Sequence, residues 1–218
     1  GNNGDATFAE GLDEVAYWPR ALSDDEVYTI GTTNLPLLEI DTLLTAPPPP
    51  VIIPSPDLYF DGSSTDAQIG NNSFNLGGNT LSDSKGKYGS NSFDFDSAGH
   101  KNPMVLGTQL NLSTTYTFSM WFYNKRSHNN VGSILRSNTG AYPMMTQMSD
   151  DQLGNYSGGA FHGTGFTMTQ FEDLQEWTHL AVVANGVNTT YYVNGQKAGN
   201  SVDRIISGVS LKHFGSMP

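Results

Sequence analysis

The stretch Gly11-Leu-Asp-Glu-Val-Ala-Tyr-Trp-Pro-Arg-Ala-Leu-Ser-Asp-Asp-Glu26 decides the fold, because it joins one short strand to the start of one short helix. Leu12, Val15 and Tyr17 give the strand its apolar side chains. The Ser-Asp-Asp-Glu sequence that ends the stretch is a capping box, which begins a helix. One strand and one short helix cannot bury their apolar faces alone, so the segment needs a sheet supplied from elsewhere.

Two Asn-Gly pairs mark hairpin turns in the second half of the chain. Asn185-Gly186 and Asn194-Gly195 each lie between runs of β-branched and aromatic residues, which is the strongest short-range signal for a β-hairpin. The chain also contains 24 glycines and a single clear helix start. The sequence therefore predicts many short antiparallel strands in two packed sheets.

Further strand and loop motifs follow one another along the rest of the chain. They are Leu58-Tyr-Phe-Asp-Gly62, Ser64-Thr-Asp66, Gly86-Lys-Tyr-Gly89, Ser92-Phe-Asp-Phe-Asp96, Thr117-Phe-Ser-Met-Trp-Phe122, Trp177-Thr-His-Leu-Ala-Val-Val183 and Tyr191-Tyr-Val-Asn-Gly195. When Pro218 is written directly before Gly1, a strand, a Gly/Asn loop, a Gly-x-Asp-Glu-Val strand and an Arg-Ala-Leu-Ser helix follow these motifs. In this order the chain resembles a laminin-G-like domain of the concanavalin A-like lectin/glucanase superfamily, circularly permuted or cut from a tandem repeat.

The resemblance implies an all-β fold: an antiparallel jelly-roll β-sandwich with one short helix and a Pro-rich linker. Residues 1–30 would supply the closing strand and helix, either for the same chain or for a neighbouring copy. Residues 31–56 would be an apolar Pro-rich linker, and residues 57–218 the main body of the sandwich. First and last strands are neighbours in the resembled fold. We therefore expect residues 12–17 to pair antiparallel with residues 58–60.

Composition argues against several classes of function. The net charge is −11 with only ten Lys and Arg residues, whereas a nucleic-acid groove needs clustered cations, so no nucleic-acid partner is expected. Cysteine is absent, so neither disulfides nor thiolate chemistry contributes. The sequence contains no apolar run of about 20 residues and no basic-then-apolar start, so it predicts neither a membrane span nor a signal peptide.

The linker, residues 31–56, is rich in both proline and aliphatic residues. Its prolines favour an extended, semi-rigid spacer. Its aliphatic side chains would meet water unless they cover a sheet of their own domain or dock on a neighbouring copy, and the sequence leaves both alternatives open. In the second alternative, the residues expected at a head-to-tail contact between copies are Leu37, Leu38, Ile40, Leu43 and Leu44.

The sequence shows no catalytic constellation, so no enzyme activity is expected. Glu39-Ile-Asp41 resembles the start of the Glu-x-Asp-x-x-Glu strand of glucanases in this superfamily, but the third carboxylate is missing and the motif lies in the linker. The five histidines show no paired metal-ligand spacing. His179 lies in a predicted strand after Trp177, and we interpret it as a hydrogen-bonded sheet residue rather than a ligand or base.

The resemblance also implies a structural calcium ion between the first and last strands. The matching carboxylates are Asp13 and Asp61. Asp96 or Glu14 and backbone carbonyls would have to complete the roughly six to eight oxygen ligands that calcium takes. The alternative is that these acids are solvated turn residues.

Carbohydrate binding is the common activity of the resembled family, and it uses exposed aromatic rings with amides at a sheet edge or face. The candidate ligand-binding residues are Tyr142, Tyr156, Asn129 and Asn155, with Phe161 and Trp18 as further aromatic candidates. Tyr142 precedes and Tyr156 lies within a Met- and Gly-rich, loop-like stretch, which favours surface positions for both. Most other aromatic residues are predicted to lie in the core.

Two classes of function follow from these observations. The first is a non-catalytic structural and assembly unit of an extracellular fibre or a virion exterior. The second is a glycan-binding adhesin or receptor-binding module. Both imply an extracellular, cell-surface or virion-surface location. Closure of a neighbouring copy's sandwich by residues 1–30 favours assembly, whereas closure of their own sandwich beside an open aromatic surface favours glycan binding.

Overall fold

The computed structural model describes residues 11–33, 36–37, 53–82, 86–89, 91–94, 103–124, 132–146, 150–171 and 176–215. These residues form one α-helix, one 3₁₀ turn and fifteen strands, most of them short. The helix is α1 (Asp24–Thr32) and the 3₁₀ turn spans Thr169–Phe171. The strands are β1 (Gly11–Trp18), β2 (Leu58–Phe60), β3 (Phe74–Asn75), β4 (Thr80–Ser82), β5 (Ser92–Asp94), β6 (Met104–Asn111), β7 (Thr115–Asn124), β8 (Gly132–Ser137), β9 (Tyr142–Thr146), β10 (Gln152–Ser157), β11 (Ala160–Thr167), β12 (Glu176–Asn185), β13 (Thr189–Val193), β14 (Gln196–Lys197) and β15 (Ser210–Phe214).

The strands build two antiparallel sheets that face each other as a sandwich. The eight-stranded sheet has the order β14-β13-β12-β7-β1-β5-β4, and β2 also pairs with β1. The seven-stranded sheet has the order β11-β10-β9-β8-β15-β6-β3. The predicted all-β jelly-roll sandwich with one short helix is thus confirmed, and both predicted Asn-Gly turns lie at the ends of β12 and β13.

Strand β1 lies inside the eight-stranded sheet of its own chain. It pairs antiparallel with β7 on one side and with β2 and β5 on the other. In the β1–β2 pair, Val15 lies opposite Phe60 and Tyr17 opposite Leu58, so the predicted pairing of these segments is confirmed. The strand that sequence analysis singled out therefore occupies a central position in the sheet.

The two faces of the eight-stranded sheet have different coverings. The inner face packs against the seven-stranded sheet, and Leu12, Val15 and Tyr17 belong to this inner core. The outer face carries a second apolar cluster, in which side chains of helix α1 pack on the sheet. The members of this outer cluster are Ala16, Trp18, Leu22, Val27, Ile30, Leu37, Ile53, Tyr59, Ala181, Val183 and Tyr192.

The position of Leu37 corrects one expectation from the sequence. Its side chain is 8% exposed and lies in the outer cluster of its own chain, so it is not displayed for a contact between copies. Ile53, near the other end of the linker, lies in the same cluster. At these two positions the linker covers its own sheet, which was one of the two alternatives. Leu38, Ile40, Leu43 and Leu44 lie outside the described residues.

Helix α1 is fixed to the sheet by polar contacts at its first turn and by close packing at its last turn. Ser23 and Glu26 form the predicted capping box, and the Tyr192 hydroxyl donates a hydrogen bond to Asp24. Near the last turn, Gly31 is buried against the sheet. A Cβ atom at this position would lie 2.6 Å from His179 Nδ1 and would also press on the backbone of Gly195. Only glycine therefore lets the helix approach the sheet this closely.

We expect Gly31→Ala to lower the free energy of unfolding by more than about 1 kcal/mol, although the same change usually stabilises a helix. The added methyl group meets a buried imidazole and a backbone segment that cannot move independently. Urea unfolding measures the effect. The control is Thr29→Ala at a half-buried position of the same helix, which should change the value by less than about 0.5 kcal/mol. Equal stability of the two variants would contradict the close packing of the helix on the sheet.

Candidate functional site

An aromatic row lies on the outer face of the seven-stranded sheet. Tyr142 and Tyr156 lie directly opposite each other in the β9–β10 pair, and their ring centroids are 5.8 Å apart at an angle of 71°. Both side chains are half-buried, so part of each ring faces solvent. Strand pairing thus brings together two tyrosines that are separated in sequence.

The register of the strands decides which way these rings point. Leu153 belongs to the inner core, so the alternation along β10 sends Asn155 inward and Tyr156 outward. The β9–β10 register shifts between Gly154 and Tyr156, and this bulge lets Tyr142 share the outer face with its partner although Met144 on β9 belongs to the core.

Two more side chains extend the row on neighbouring strands. Phe161 on β11 lies opposite Tyr156, and its ring lies over Gly154 and Gly163, where a Cβ atom would come within 2.8 Å of the ring. On β8, the Arg136 guanidinium carbon lies 5.7 Å from the centre of the Tyr142 ring. The strands β8, β9, β10 and β11 are consecutive in the sheet, so the row from Arg136 to Phe161 spans three strand spacings, or about 14 Å. We call Arg136, Tyr142, Tyr156 and Phe161 the outer row.

The other predicted ligand-binding residues do not join the outer row. Asn155, a predicted ligand-binding residue, is fully buried, and its side-chain amide donates a hydrogen bond to the carbonyl oxygen of Arg204, so it does not present its amide on the outer face. Trp18 is also buried, with its indole N–H donating to Pro54 O, and it packs under helix α1. Asn129 lies outside the described residues.

Arg136 was not among the candidate residues predicted from the sequence. The signal for it was weak, since it is one of only ten Lys and Arg residues and lies between Leu135 and Ser137 in one short strand. Its importance comes from its position beside Tyr142, which depends on the pairing of β8 with β9 and was not visible in the local sequence.

A second feature is an acidic cavity at β1, on the outer face of the eight-stranded sheet. It has a volume of about 280 Å³ and its lining includes the carboxylates of Asp13, Glu14 and Asp61. Asp13 and Glu14 lie at a bulge of β1, where the register with β7 shifts and Glu14 adopts a positive φ of 52°. This bulge turns the strand so that Leu12 and Val15 both reach the inner core while the two acids face the cavity.

Backbone N–H groups donate hydrogen bonds to the two buried carboxyl groups of β1. Asp13 accepts hydrogen bonds from the N–H groups of Glu14 and Lys87, both at 2.8 Å, and Glu14 accepts one from the N–H of Leu37 at 2.7 Å. Burial is nevertheless the dominant effect on Asp13, and with the nearby charge of Glu14 it raises the pKa of Asp13 from 3.8 to about 8. Burial also raises the pKa of Tyr59 in the cavity wall, and the charge of Glu14 adds to this.

The predicted calcium ligands meet only in part. Asp13 and Asp61 do line the same cavity, as expected. Across the described ranges, however, no three acidic or histidine side chains come together in a way that could hold a metal ion. Because calcium takes roughly six to eight oxygen ligands, the described carboxylates do not fit this ion by themselves. Asp96, the third expected ligand, lies outside the described residues.

His179 lies in the core of the eight-stranded sheet. Its Nε2 is 2.8 Å from the Ser119 hydroxyl oxygen on β7, and its side chain is completely buried. Burial lowers its pKa to about 3, so the ring is neutral at ordinary pH. This confirms the interpretation of His179 as a hydrogen-bonded sheet residue.

Comparisons with known proteins agree with this architecture. A family model, Laminin_G_3, described as Concanavalin A-like lectin/glucanases superfamily, matches residues 95–209, a little more than half of the chain. The search of curated proteins found no match to this chain. Within the described residues, no helix has the length and apolar character that crossing a bilayer requires.

The comparison with solved structures matched the following three chains at low sequence identity. Domain 4 of AbnA, an extracellular GH43 arabinanase from Geobacillus stearothermophilus, in complex with arabinotriose, is 14% identical with a TM-score of 0.44; the match covers 70% of this chain and 83% of that one. Sheep galectin-11 in complex with glycerol is 15% identical with a TM-score of 0.34, covering 52% and 90%. The alginate lyase AlgAT5 of polysaccharide lyase family 7 is 14% identical with a TM-score of 0.34, covering 53% and 56%.

We expect the buried Asp13 to make the protein less stable as the pH rises. Between pH 3.8 and about 8 the unfolded chain has released the Asp13 proton while the folded chain keeps it, so the contribution of this group to the free energy of unfolding falls across that window. Asp13→Asn removes this titration. The unfolding free energy of the variant minus that of the wild type should therefore rise with pH across the same window.

Urea unfolding at a series of pH values measures this difference. The exposed Asp203→Asn variant controls for the loss of one negative charge. A difference between Asp13→Asn and wild type that stays constant with pH would contradict the raised pKa of Asp13.

Proposed function

The chain belongs to the Laminin_G_3 family of the Concanavalin A-like lectin/glucanases superfamily, and we propose that it is a non-catalytic glycan-binding module of this family. One observation carries the proposal: Tyr142 and Tyr156 form a paired aromatic surface on the outer face of the seven-stranded sheet. The outer face of the other sheet is covered by helix α1 and by Leu37 and Ile53. The face that displays partly exposed rings is therefore the better binding surface.

The chemistry of the outer row suits a sugar. The C–H groups on one face of a pyranose or furanose ring pack against an aromatic ring, while hydroxyl groups at the rim need hydrogen-bond donors and acceptors. Tyr142, Tyr156 and Phe161 supply the rings, and the two tyrosine hydroxyls with Arg136 supply polar groups. The row crosses four neighbouring strands, so it is long enough for an oligosaccharide rather than a single sugar.

The arrangement of carboxylates favours binding over hydrolysis. Glycosidases place two carboxyl groups on either side of the scissile bond in a site that admits the substrate. Here Asp13 and Glu14 are adjacent in one strand, are almost completely buried, and accept hydrogen bonds from backbone N–H groups. Glu39 and Asp41 lie outside the described residues.

Three finer proposals accompany this function. A glycan-binding module of this family fits an extracellular place of action, on a cell surface or a virion. Assembly of copies into a fibre is proposed only through Leu38, Ile40, Leu43 and Leu44, since Leu37 is buried in its own chain. A structural calcium ion at Asp13 and Asp61 stays a prediction that needs Asp96 or other residues outside the described ranges.

We expect Tyr142→Ala and Tyr156→Ala each to weaken glycan binding by about tenfold or more, which corresponds to ~1.4 kcal/mol of lost stacking. The measurement is binding of the purified protein to an array of neutral and acidic oligosaccharides from plant, animal and microbial sources. Isothermal titration with the best glycan then gives the affinities. The control is Tyr28→Ala, which removes a tyrosine that is 49% exposed on helix α1. Equal losses in all three variants would contradict the proposed site.

The assembly proposal has its own test. Changing Leu38 and Ile40 together to Asp should lower self-association, measured by light scattering and electron microscopy, without unfolding the sandwich. Leu37→Asp is the contrasting variant, because it places a charge in the outer cluster and should lower the thermal stability of the isolated chain. Normal assembly of the Leu38 and Ile40 double variant would contradict assembly through the linker, whose role would then be limited to covering its own sheet and spacing its two ends.

A further inference from the structure

Positive charge gathers beside the outer row, in a chain that is otherwise acidic. The whole sequence has 10 Lys and Arg residues against 21 Asp and Glu residues. Arg136 lies against Tyr142, and Lys212 lies on β15, the strand next to β8. At the other end of the tyrosine pair, Arg204 donates a hydrogen bond from Nε to the hydroxyl of Ser157, the residue after Tyr156.

Within the described ranges, no carboxylate forms an ion pair with the half-buried Arg136. Its Nε atom is buried and has no hydrogen-bond partner among the described residues. The ion pair found in the described part of the chain is Arg20 with Glu26, on the far side of the sandwich beside helix α1. The Nε atom itself is closed to solvent, but the Arg136 side chain as a whole is only half-buried, so the terminal guanidinium nitrogens are the atoms that can meet an anionic ligand.

Two basic residues, Lys212 and His213, lie on the strand next to Arg136. His213 lies opposite Arg136 in the β8–β15 pair. Burial lowers the pKa of His213, and the positive charges of Arg136 and Lys212 lower it further. A lowered pKa favours the neutral imidazole, so the positive charge beside the aromatic pair comes from Arg136 and Lys212 and is not balanced by a carboxylate among the described residues.

We propose that the outer row binds an acidic glycan, with Arg136 and Lys212 holding a carboxylate or sulfate group while the sugar ring packs on Tyr142 and Tyr156. This inference rests on the proposed function and names the class of glycan. The planar guanidinium forms two parallel hydrogen bonds to a carboxylate or sulfate, and stacking on Tyr142 holds its plane in place. Because the chain as a whole carries net negative charge, anions are repelled from much of its surface, whereas Arg136 gives the outer row a local positive charge.

The test compares glycans that differ only in charge. Isothermal titration is done with oligogalacturonate and its methyl ester, and with sulfated and unmodified dextran oligosaccharides. On the oligosaccharide array, binding to the acidic members is compared with binding to the neutral members. The variants are Arg136→Gln, which removes the charge, and Lys197→Gln, which removes one exposed positive charge at the β14 edge of the other sheet. Thermal melting of each variant checks that it is folded.

We expect the wild type to bind the acidic member of at least one pair, or acidic array members as a class, about tenfold more tightly than neutral ones. Added salt should reduce this preference. Arg136→Gln should abolish most of it, and Lys197→Gln should preserve it. The two pairs separate a carboxylate preference from a sulfate preference.

The outcomes distinguish this inference from the proposed function. Binding confined to neutral glycans, or equal effects of Arg136→Gln and Lys197→Gln, would overturn the acidic preference while glycan binding stands. No binding to any array member would overturn both.

Discussion

The structure depends on burial of both faces of strand β1. Every residue from Gly11 to Trp18 is buried, which is unusual for a strand of an antiparallel sandwich, where one face commonly meets water. The inner face of β1 contributes to the core between the sheets, and its outer face, with Ala16 and Trp18, lies under helix α1 and the linker residues Leu37 and Ile53. The helix and the described ends of the linker are therefore parts of the sandwich, because they complete the burial of this strand.

The bulge in β1 allows the strand to be buried on both faces although it contains two acidic side chains. A regular strand through Asp13 and Glu14 would alternate the faces and would turn Val15 away from the core that Leu12 occupies. The extra residue, accommodated by the positive φ of Glu14, keeps both apolar residues inside and leaves the acids at one cavity. Backbone N–H groups of Leu37 and Lys87 then meet the carboxylates, so the bulge also anchors segments that are distant in sequence.

The unequal covering of the two sheets determines where a ligand has access. On the eight-stranded sheet, helix α1 and the outer cluster bury apolar side chains that would otherwise form an exposed surface. On the seven-stranded sheet, Tyr142 and Tyr156 keep partly exposed rings, and Arg136 lies against the first of them. The bulge between β9 and β10 creates this arrangement, since it puts Tyr142 on the outer face. In both sheets, a one-residue irregularity thus decides which face the polar or aromatic side chains occupy.

The sequence by itself determined the class of fold, because strand alternation, Asn-Gly turns and the Ser23 capping box are local patterns that need no tertiary context. The resemblance carried by the order of motifs implied the pairing of β1 with β2, which the structure confirms. A Gly-rich stretch that follows Tyr142 and contains Tyr156 favoured surface positions for both, and both side chains are partly exposed. The position of Leu37 in the outer cluster, the burial of Asn155 and the contact of Arg136 with Tyr142 were decided by tertiary structure alone. Each depends on which face of a strand a residue occupies, and a single bulge reverses that face without a clear mark in the local sequence.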